Sequence, residues 1–585
     1  MLTGLGLRLA LASAMLALAV ATPSGCSPDR VPATPRCRGV LLVTVDGLRP
    51  ESLSAYGGAA ATPALEALAK AGVAYRDAWT ADPLTRPAIA TYLTGLAPDR
   101  HGVRDNTFGA LPSDVASLAA ALTARGYRTA AFPGSAWLRA DSGLLRGFEL
   151  VDDPPEPGIG IRAALPFDTP PAELAQHVVA WREGLPADTS FFAWVHFGEP
   201  LAEALRRAAL PLVPKIREED DEAAPPATPT DSAPVALGEF DAALGSIVHG
   251  LESRGDLPTT LILVVGTQGE ALGGEREPVG PGFSLAEAAV RVPLVARFPE
   301  GVRPARGAGD PVWAPDVAAT IAQLTQTTLD RRAEGLALLE PAPAERVRLA
   351  WSWAPLDELG WTALRAARRG TVDLSGEELT RAFAARAEPP SAWLPTDEVR
   401  PLLIADGVQL DPRAPTGRAF GPAERRRQVS HDVWMARAIY GLGRARRAGR
   451  LYQDALAADP EARAALVERA QIATHEGTTL LRRALSWYPG DPDGLHWYAH
   501  SEWGKSKTPE KLLELIQKHR PGNYDVLYDL ACGRSRAGDL EAAARYLEQA
   551  IAAGYRRFEH MDADPDLRNL RASPRYAEVM KAHRP

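Results

Sequence analysis

Hydrophobic and polar positions divide this chain into two regimes. Through the first half, short apolar runs alternate with stretches of helical period; past about residue 430 only the helical period remains. The first such run after the N-terminal segment, Val40-Leu41-Leu42-Val43-Thr44-Val45, is rich in β-branched residues and too short to span a bilayer, so it predicts a strand buried on both faces. It ends at Asp46-Gly47. The pattern then predicts a helix through Leu118, Ala121 and Leu122 that stops at Gly126, and a strand through Phe132. A helix over 171–181 opens with proline, a strand follows over 190–196, and Leu237, Phe240, Leu244, Ile247 and Leu251 repeat at helical spacing until Gly255. Strands over 260–265 and 291–295 and a helix over 316–324 complete the alternation. Strands interleaved with helices mean an α/β domain, and such domains place ligand chemistry beyond the C-terminal ends of their central strands, where Asp46 stands. Between these elements, residues 210–235 turn Pro-, Ala- and acid-rich, which predicts an exposed, mobile loop.

Beyond the alternation the chain changes character twice. Residues 349–370 carry Trp351, Trp353, Trp361 and the run Arg365 to Gly370; residues 385–428 are Pro- and Arg-rich and read as connecting structure. From Ser430 helical patterns are punctuated at Asp459-Pro460, Pro489-Gly490-Asp491-Pro492 and Pro521-Gly522-Asn523, a spacing close to the ~34 residues of a tetratricopeptide repeat. The unit from Val526 through Ala543 to Ile551 resembles that repeat closely, and residues 558–579 fit an atypical capping pair. Leu530 and Leu547 fall where they should face the stack.

The motifs after Asp46 are Thr62-Pro63-Ala64-Leu65-Glu66, Gly72-Val73, Pro83-Leu84-Thr85-Arg86-Pro87-Ala88, Leu93-Thr94-Gly95 and His101-Gly102-Val103-Arg104-Asp105-Asn106. In that order and spacing they resemble the N-terminal half of the sulfatase family, within the alkaline phosphatase superfamily. The resemblance implies an alkaline-phosphatase-like mixed sheet flanked by helices, a calcium-type ion held by acidic residues at two strand ends, and a nucleophile at the position of Thr85. It also shows what has changed. Gly47 follows Asp46 where the family has a second Asp or a Thr, and the second metal corner reads Gly266-Thr267-Gln268-Gly269-Glu270, so Thr267 and Gln268 stand where the family has an acid and an imidazole or amide. A histidine expected to face the leaving group corresponds to Leu201, another falls near Pro281, and the family's arginine four places after the nucleophile is Ile89. One carboxylate falls short of the charge that Ca²⁺ or Mg²⁺ sites draw on, and no divalent metal is expected unless Glu270 and Glu275 rebuild the site. On residue grounds alone Thr85 reads as the N-cap of the helix before Pro87, Asp46 as a turn residue serving backbone N–H groups, and His101 and Arg104 as loop anchors.

Composition narrows the remaining classes. A length of 585 residues predicts two or three domains, and a net charge of −8 leaves no electrostatic footprint for nucleic acid. Three cysteines, Cys26, Cys37 and Cys532, support neither a disulfide framework nor a cysteine zinc site. The run from Leu9 to Ala21 after Arg8 reads as a secretory h-region, and Pro23-Ser24-Gly25-Cys26 resembles a bacterial lipoprotein box with Cys26 as the lipidated residue; ordinary cleavage leaving a free Cys26 is the alternative. The expected organisation is a signal peptide over 1–25, a tether over 26–37, a sulfatase-like domain over 38–330, a subdomain remnant and linker over 331–429, and helical repeats over 430–585. The expected function is an exported, lipid-anchored envelope protein of sulfatase fold, catalytically degenerate, that serves as a binding or scaffold protein and meets a protein partner through its helical repeats. The competing expectation is an active sulfuric or phosphoric ester hydrolase with a rebuilt metal site.

Overall fold

The computed structural model describes residues 37–107, 110–152, 168–198, 233–269, 280, 282–386, 393–412, 418–419, 421–441, 444–473 and 475–584. The N-terminal segment with Cys26, most of the expected loop over 210–235, Leu201, Glu270, Glu275 and Pro281 lie outside them. Among the described residues no helix is long and apolar enough to cross a membrane.

The strands are β1 Gly39–Val45, β2 Val73–Trp79, β3 Arg128–Pro133, β4 Leu150–Val151, β5 Phe191–Phe197, β6 Thr260–Gly266, β7 Arg291–Arg297 and β8 Val312–Trp313. They form one sheet in the order β4-β3-β5-β1-β6-β7-β2-β8. β1 sits in its middle, parallel to β5 and β6, with Thr44 opposite His196 on one side and Val265 on the other. β7 runs antiparallel to both β6 and β2. Every residue of β1, β5 and β6 is buried, as their continuous apolar runs require of central parallel strands.

Alternate residues of β1 serve the two faces. Leu41, Val43 and Val45 pack with Leu65 and Leu68 of α1 (Pro63–Ala71), Leu174 and Val178 of α4 (Pro171–Glu183), and Phe240 and Leu244 of α5 (Ala233–Ser253). Val40 and Leu42 face Tyr92 and Leu93 of α2 (Thr85–Thr94), Leu118 of α3 (Leu118–Ala124) and Ile321 of α6 (Pro315–Thr325). Thr44 and Asp46 continue this second face, so the strand-terminal carboxylate points toward α2.

The core does not stop at residue 330. Leu338, Leu349, Trp351, Trp353 and Phe383 belong to the cluster under α2 and α6. They come with α7 (Ala354–Leu359), α8 (Gly376–Phe383) and a small antiparallel sheet of β9 (Val347–Ser352), β10 (Leu364–Arg369) and β11 (Val372–Asp373). Each fully buried large apolar side chain contributes about 1.5–3 kcal/mol. The tryptophans therefore bind this subdomain to the main sheet rather than leaving it as a linker.

The helical region begins earlier than the sequence pattern suggests. Thr396–Ala405 is a helix, α9, whose Val399 and Leu403 are buried, and Ala423–Gly441, α10, starts ahead of Ser430. The proline- and arginine-rich composition of 385–428 had read as linker, but apolar residues four apart fold once the neighbouring helices cover them. Helices α11 (Ala445–Ala458), α12 (Arg463–Ile472), α13 (Gly477–Trp487), α14 (Pro492–Glu502), α15 (Thr508–His519), α16 (Tyr524–Ala537) and α17 (Leu540–Ala552) follow, each packed on the next apart from α17. α17 packs on α16 and on the terminal α19 (Pro574–His583), with the short α18 (Phe558–Ala563) between them in sequence. Leu530 and Leu547 are buried in this stack, at 1% and 0% exposure.

Candidate functional site

The C-terminal ends of β1, β5 and β6 meet around Asp46. The backbone knits them together: Asp46 N–H donates to Phe197 O, Thr267 N–H to Val45 O and Leu48 N–H to Gln268 O. The Asp46 carboxylate is buried, and its two oxygens are taken by two hydroxyls. Thr85 Oγ1 donates to Oδ2 at 2.6 Å, and Thr267 Oγ1 donates to Oδ1. Thr267 Oγ1 also lies 2.6 Å from Gln268 Oε1 and 3.3 Å from Val45 O. A hydroxyl has one proton for these three acceptors, and turning the Gln268 amide over would place a donor there instead.

Two of the single-residue expectations need correction. Thr85 is the first residue of α2 rather than its cap; Leu84 holds the cap position, and the Thr85 hydroxyl reaches the strand end instead of its own helix. Asp46 is met by side-chain hydroxyls, not by turn amides. In both cases a tertiary partner wins over the local one. His101 and Arg104 do anchor loops. Burial pulls the His101 imidazole down to about 3, so it is neutral; Nδ1 accepts from Val103 N–H and Nε2–H donates to Thr91 Oγ1, which donates in turn to Pro87 O. Arg104 grips Asp357 of α7 with a two-pronged ion pair at 2.8 and 2.6 Å.

The structure adds His196, which sequence reasoning left unassigned. Trp194 Nε1 donates to Thr44 Oγ1, Thr44 Oγ1 lies 3.0 Å from His196 Nδ1, and His196 Nε2 stands 3.5 Å from Asp46 Oδ2. The available signal was period two, which sets Thr44 and Asp46 on one face of β1 and Trp194 and His196 on one face of β5. Nothing in one sequence supplies the register that brings the two faces together.

Asp82, beyond the end of β2, is another unassigned group. It is fully buried. Burial pushes its carboxyl well above the usual carboxylate range, against the pull of the Leu84 backbone N–H, and the Asp105 charge adds to the rise.

The sulfatase resemblance implies a divalent cation at the Asp46 corner, and the described donors do not fit one. They provide one formal charge, on Asp46, whose oxygens already accept two hydroxyl protons; Thr267 and Gln268 are neutral. Among the described residues no three His, Cys, Asp or Glu side chains converge to hold a metal.

Two cavities lie where the helical stack meets the α/β domain. The smaller, about 580 Å³, is bounded by Trp137 and Arg139 on one side and by His496, His500, Asp525 and Asp529 on the other. The larger, about 1510 Å³, is bounded by Arg104, Thr107 and Leu111, by Leu356 and Asp357 of α7, and by His519, Arg520 and Asn523. Neither is lined by Asp46, Thr85, Thr267 or Gln268.

The sulfatase family profile matches residues 38–327. Solved structures similar to the chain include a putative sulfatase from Bacteroides fragilis, at 14% identity over 57% of this chain and 84% of that one, TM-score 0.44. Phosphonate monoester hydrolases from Silicibacter pomeroyi and Agrobacterium radiobacter share 17% and 22% identity, over 57% and 54% of this chain and 88% and 80% of theirs, TM-scores 0.41 and 0.40. The chain thus carries an N-terminal domain of the sulfatase fold over residues 38–327, followed by an all-helical region with repeat-like helix packing.

Proposed function

We propose that this protein is a catalytically degenerate member of the sulfatase fold that serves as a binding or scaffold protein, exported and held at the cell envelope by a lipid on Cys26, with its helical region contacting a protein partner. The observation that supports the loss of catalysis is the Asp46 corner. A single buried carboxylate has both oxygens satisfied by Thr85 and Thr267, and one carboxylate beside neutral Thr267 and Gln268 is a poor donor set for the divalent cation that would lower the Thr85 hydroxyl pKa. The envelope placement rests on the N-terminal sequence alone, and the partner on the helical architecture.

One observation favours the competing reading of a hydrolase with a rebuilt site. Oxygens of Asp46, Thr267 and Gln268 crowd together with few protons between them, as oxygens do around a cation. Elemental analysis of the purified full chain, together with turnover of aryl sulfates and aryl phosphates, separates the two. We expect no stoichiometric Ca²⁺, Mg²⁺ or Zn²⁺ and no hydrolysis above background. One tightly bound divalent ion per chain, with activity abolished by Asp46→Ala and Thr85→Ala, would establish the hydrolase.

A further inference from the structure

The smaller cavity contains two polar groups that the protein leaves unmatched. It lies between the loop after β3, which carries Trp137 and Arg139, and helices α12, α14 and α16. Six carboxylates and four arginines line it, and nearly all of them have partners. Arg86 and Arg139 pair with Asp141, Arg463 with Asp493, and Arg536 with Asp566. Glu468 is held by Arg437 and Asp529 by His496, and Asp564 accepts from the Tyr528 hydroxyl. Asp525 is the exception. It is half-buried, and among the described residues no hydrogen bond or ion pair reaches its carboxylate. Burial and the charge of Asp529 push its carboxyl up, while Arg139, His496 and Arg557 pull against that through space. Its place in the first turn of α16 suits an acid, but a helix terminus supplies no counter-ion.

The second group is a donor. Trp137 lines the same space and is 8% exposed, and its indole N–H meets no acceptor among the described residues. A buried donor without an acceptor is costly, so it marks a place for an oxygen that the protein does not provide. The two walls touch beside these groups: Arg139, two residues after Trp137, lies 4.6 Å over the ring of Tyr524, the neighbour of Asp525, and donates to its hydroxyl. Much of the remaining wall is aromatic, from Trp497, Trp503, Tyr528 and Tyr555. Tyr528 and Tyr555 stack with ring centroids 4.3 Å apart, and Trp503 lies so close on α16 that a Cβ at Gly533 would collide with its ring.

This chemistry selects the charge of the ligand. An anion is a poor match, because carboxylates outnumber guanidiniums and each of the four guanidiniums is already paired. A metal ion is a poor match too, since no three His, Cys, Asp or Glu side chains converge among the described residues. Ring faces attract organic cations, indole most strongly, and a carboxylate in the same space supplies the opposite charge. At about 580 Å³ the cavity falls within the ~300–1,000 Å³ of small-molecule sites. We infer that it binds a small organic ammonium, with Asp525 as counter-ion and the aromatic wall around the cation, and with the Trp137 N–H as donor to an oxygen of the ligand. Because neither Asp46 nor Thr85 lines the cavity, this site stands whether or not that corner turns over a substrate.

Calorimetric titration of the full chain with choline and with phenylalaninol tests it, a quaternary and a primary ammonium that each carry a hydroxyl. Dimethylbutanol and phenylpropanol are their neutral counterparts. We expect saturable binding of at least one ammonium, weakened by added salt, and binding at least tenfold weaker for its neutral counterpart. Asp525→Asn should weaken the ammonium at least tenfold and leave the neutral counterpart unchanged. Trp137→Phe keeps an aromatic ring and should weaken choline about fivefold, the equivalent of one hydrogen bond, with no effect on tetramethylammonium, which has no hydroxyl. Glu173→Gln on α4, outside the cavity, should change nothing. Thermal melts establish that the variants are folded. Choline binding alone marks a quaternary ligand, and phenylalaninol binding alone a primary one. No saturable binding of either, neutral counterparts binding as tightly, or folded Asp525→Asn binding like the parent would overturn the site.

Discussion

Around Asp46 the atoms form a hydrogen-bonded cluster before they form anything catalytic. Replacing Thr85 by valine keeps the side-chain shape but removes the hydroxyl from Asp46 Oδ2, leaving a buried carboxylate one donor short. A buried group stripped of its partner costs about 1–3 kcal/mol. Thr85→Val should therefore lower the urea midpoint by that free energy at unchanged m-value, and Thr85→Ser should recover most of it; an unchanged midpoint for Thr85→Val would mean the bond supports nothing. Asp46 itself was legible in sequence, because a carboxylate closing an apolar run is a local signal. The true role of Thr85 was not. A threonine two residues before Pro87 reads equally well as a cap, and only the sheet brings Asp46 to it. Asp82 was also silent: fully buried, it contradicts the usual rule that acids lie on the surface, and no periodicity marks such an exception.

Elements were more legible than the contacts between them. The run 190–196 predicted β5, and the spacing from Leu237 to Leu251 predicted α5, because period and burial are written along one segment. The helices after residue 395 were partly hidden by composition, since prolines at their entrances look like linker until the buried positions are known. Between helices, α14 and α16 are joined by a titratable contact that no single-segment pattern announces. His496 Nε2 lies 2.8 Å from Asp529, and His500 Nδ1 lies 3.6 Å from the same carboxylate. Burial alone would pull His496 down, but the hydrogen bond and charge of Asp529, with Asp525 and Asp493 nearby, outweigh it and raise its pKa. The bond to Asp529 raises His500 likewise. Burial pushes Asp529 up, yet the two imidazoles outweigh that and hold it well below the usual range. The signs are opposite at the two ends. Raised histidines stabilise fully below the unfolded value of about 6.5 and lose that contribution as pH rises through their folded values; the depressed Asp529 stabilises above about 3.9 and fails as pH falls. The advantage of the parent over His496→Gln/His500→Gln in thermal melting should thus be greatest between about pH 4.5 and 6 and shrink by pH 8. An advantage that grew toward pH 8 would show the histidines to be neutral packing residues.

In the whole molecule the α/β domain and the helical stack share one interior boundary. Phe283, Leu359, Trp361 and Leu394 join the core of the stack. Polar contacts cross the same boundary: Asp459 accepts from Trp361 Nε1 at 2.9 Å and from Arg418 at 2.5 Å, Arg437 bridges Glu358 and Glu468, and Arg139 donates to the Tyr524 hydroxyl while lying over its ring. Gly360, at φ +73°, ends α7 against Tyr488, where a Cβ would collide with the phenol oxygen. A chain read as segments predicts that residues 38–330 close their own core and fold without 430–585. The packing argues otherwise, because a break at 330 removes Leu338, Leu349, Trp351 and Trp353 from beneath α2 and α6. We expect a fragment of residues 37–330 to lack a cooperative near-ultraviolet circular dichroism melt. A fragment of 37–384 should regain partial structure, and the full chain should unfold in one transition. Within the full chain Asp459→Ala leaves a guanidinium and an indole N–H without their shared acceptor. Arg418 keeps its ion pair with Glu461 at 3.3 Å, so the loss of the shared acceptor costs about 1–3 kcal/mol, and a shared boundary requires both regions to lose it together. Hydrogen exchange of β1, β5 and β6 follows the sheet core, and exchange of α16 and α17 follows the stack. If Asp459→Ala shifts only the exchange of the helices while the sheet core exchanges as before, the two regions are separate folding units and the boundary is a docking contact.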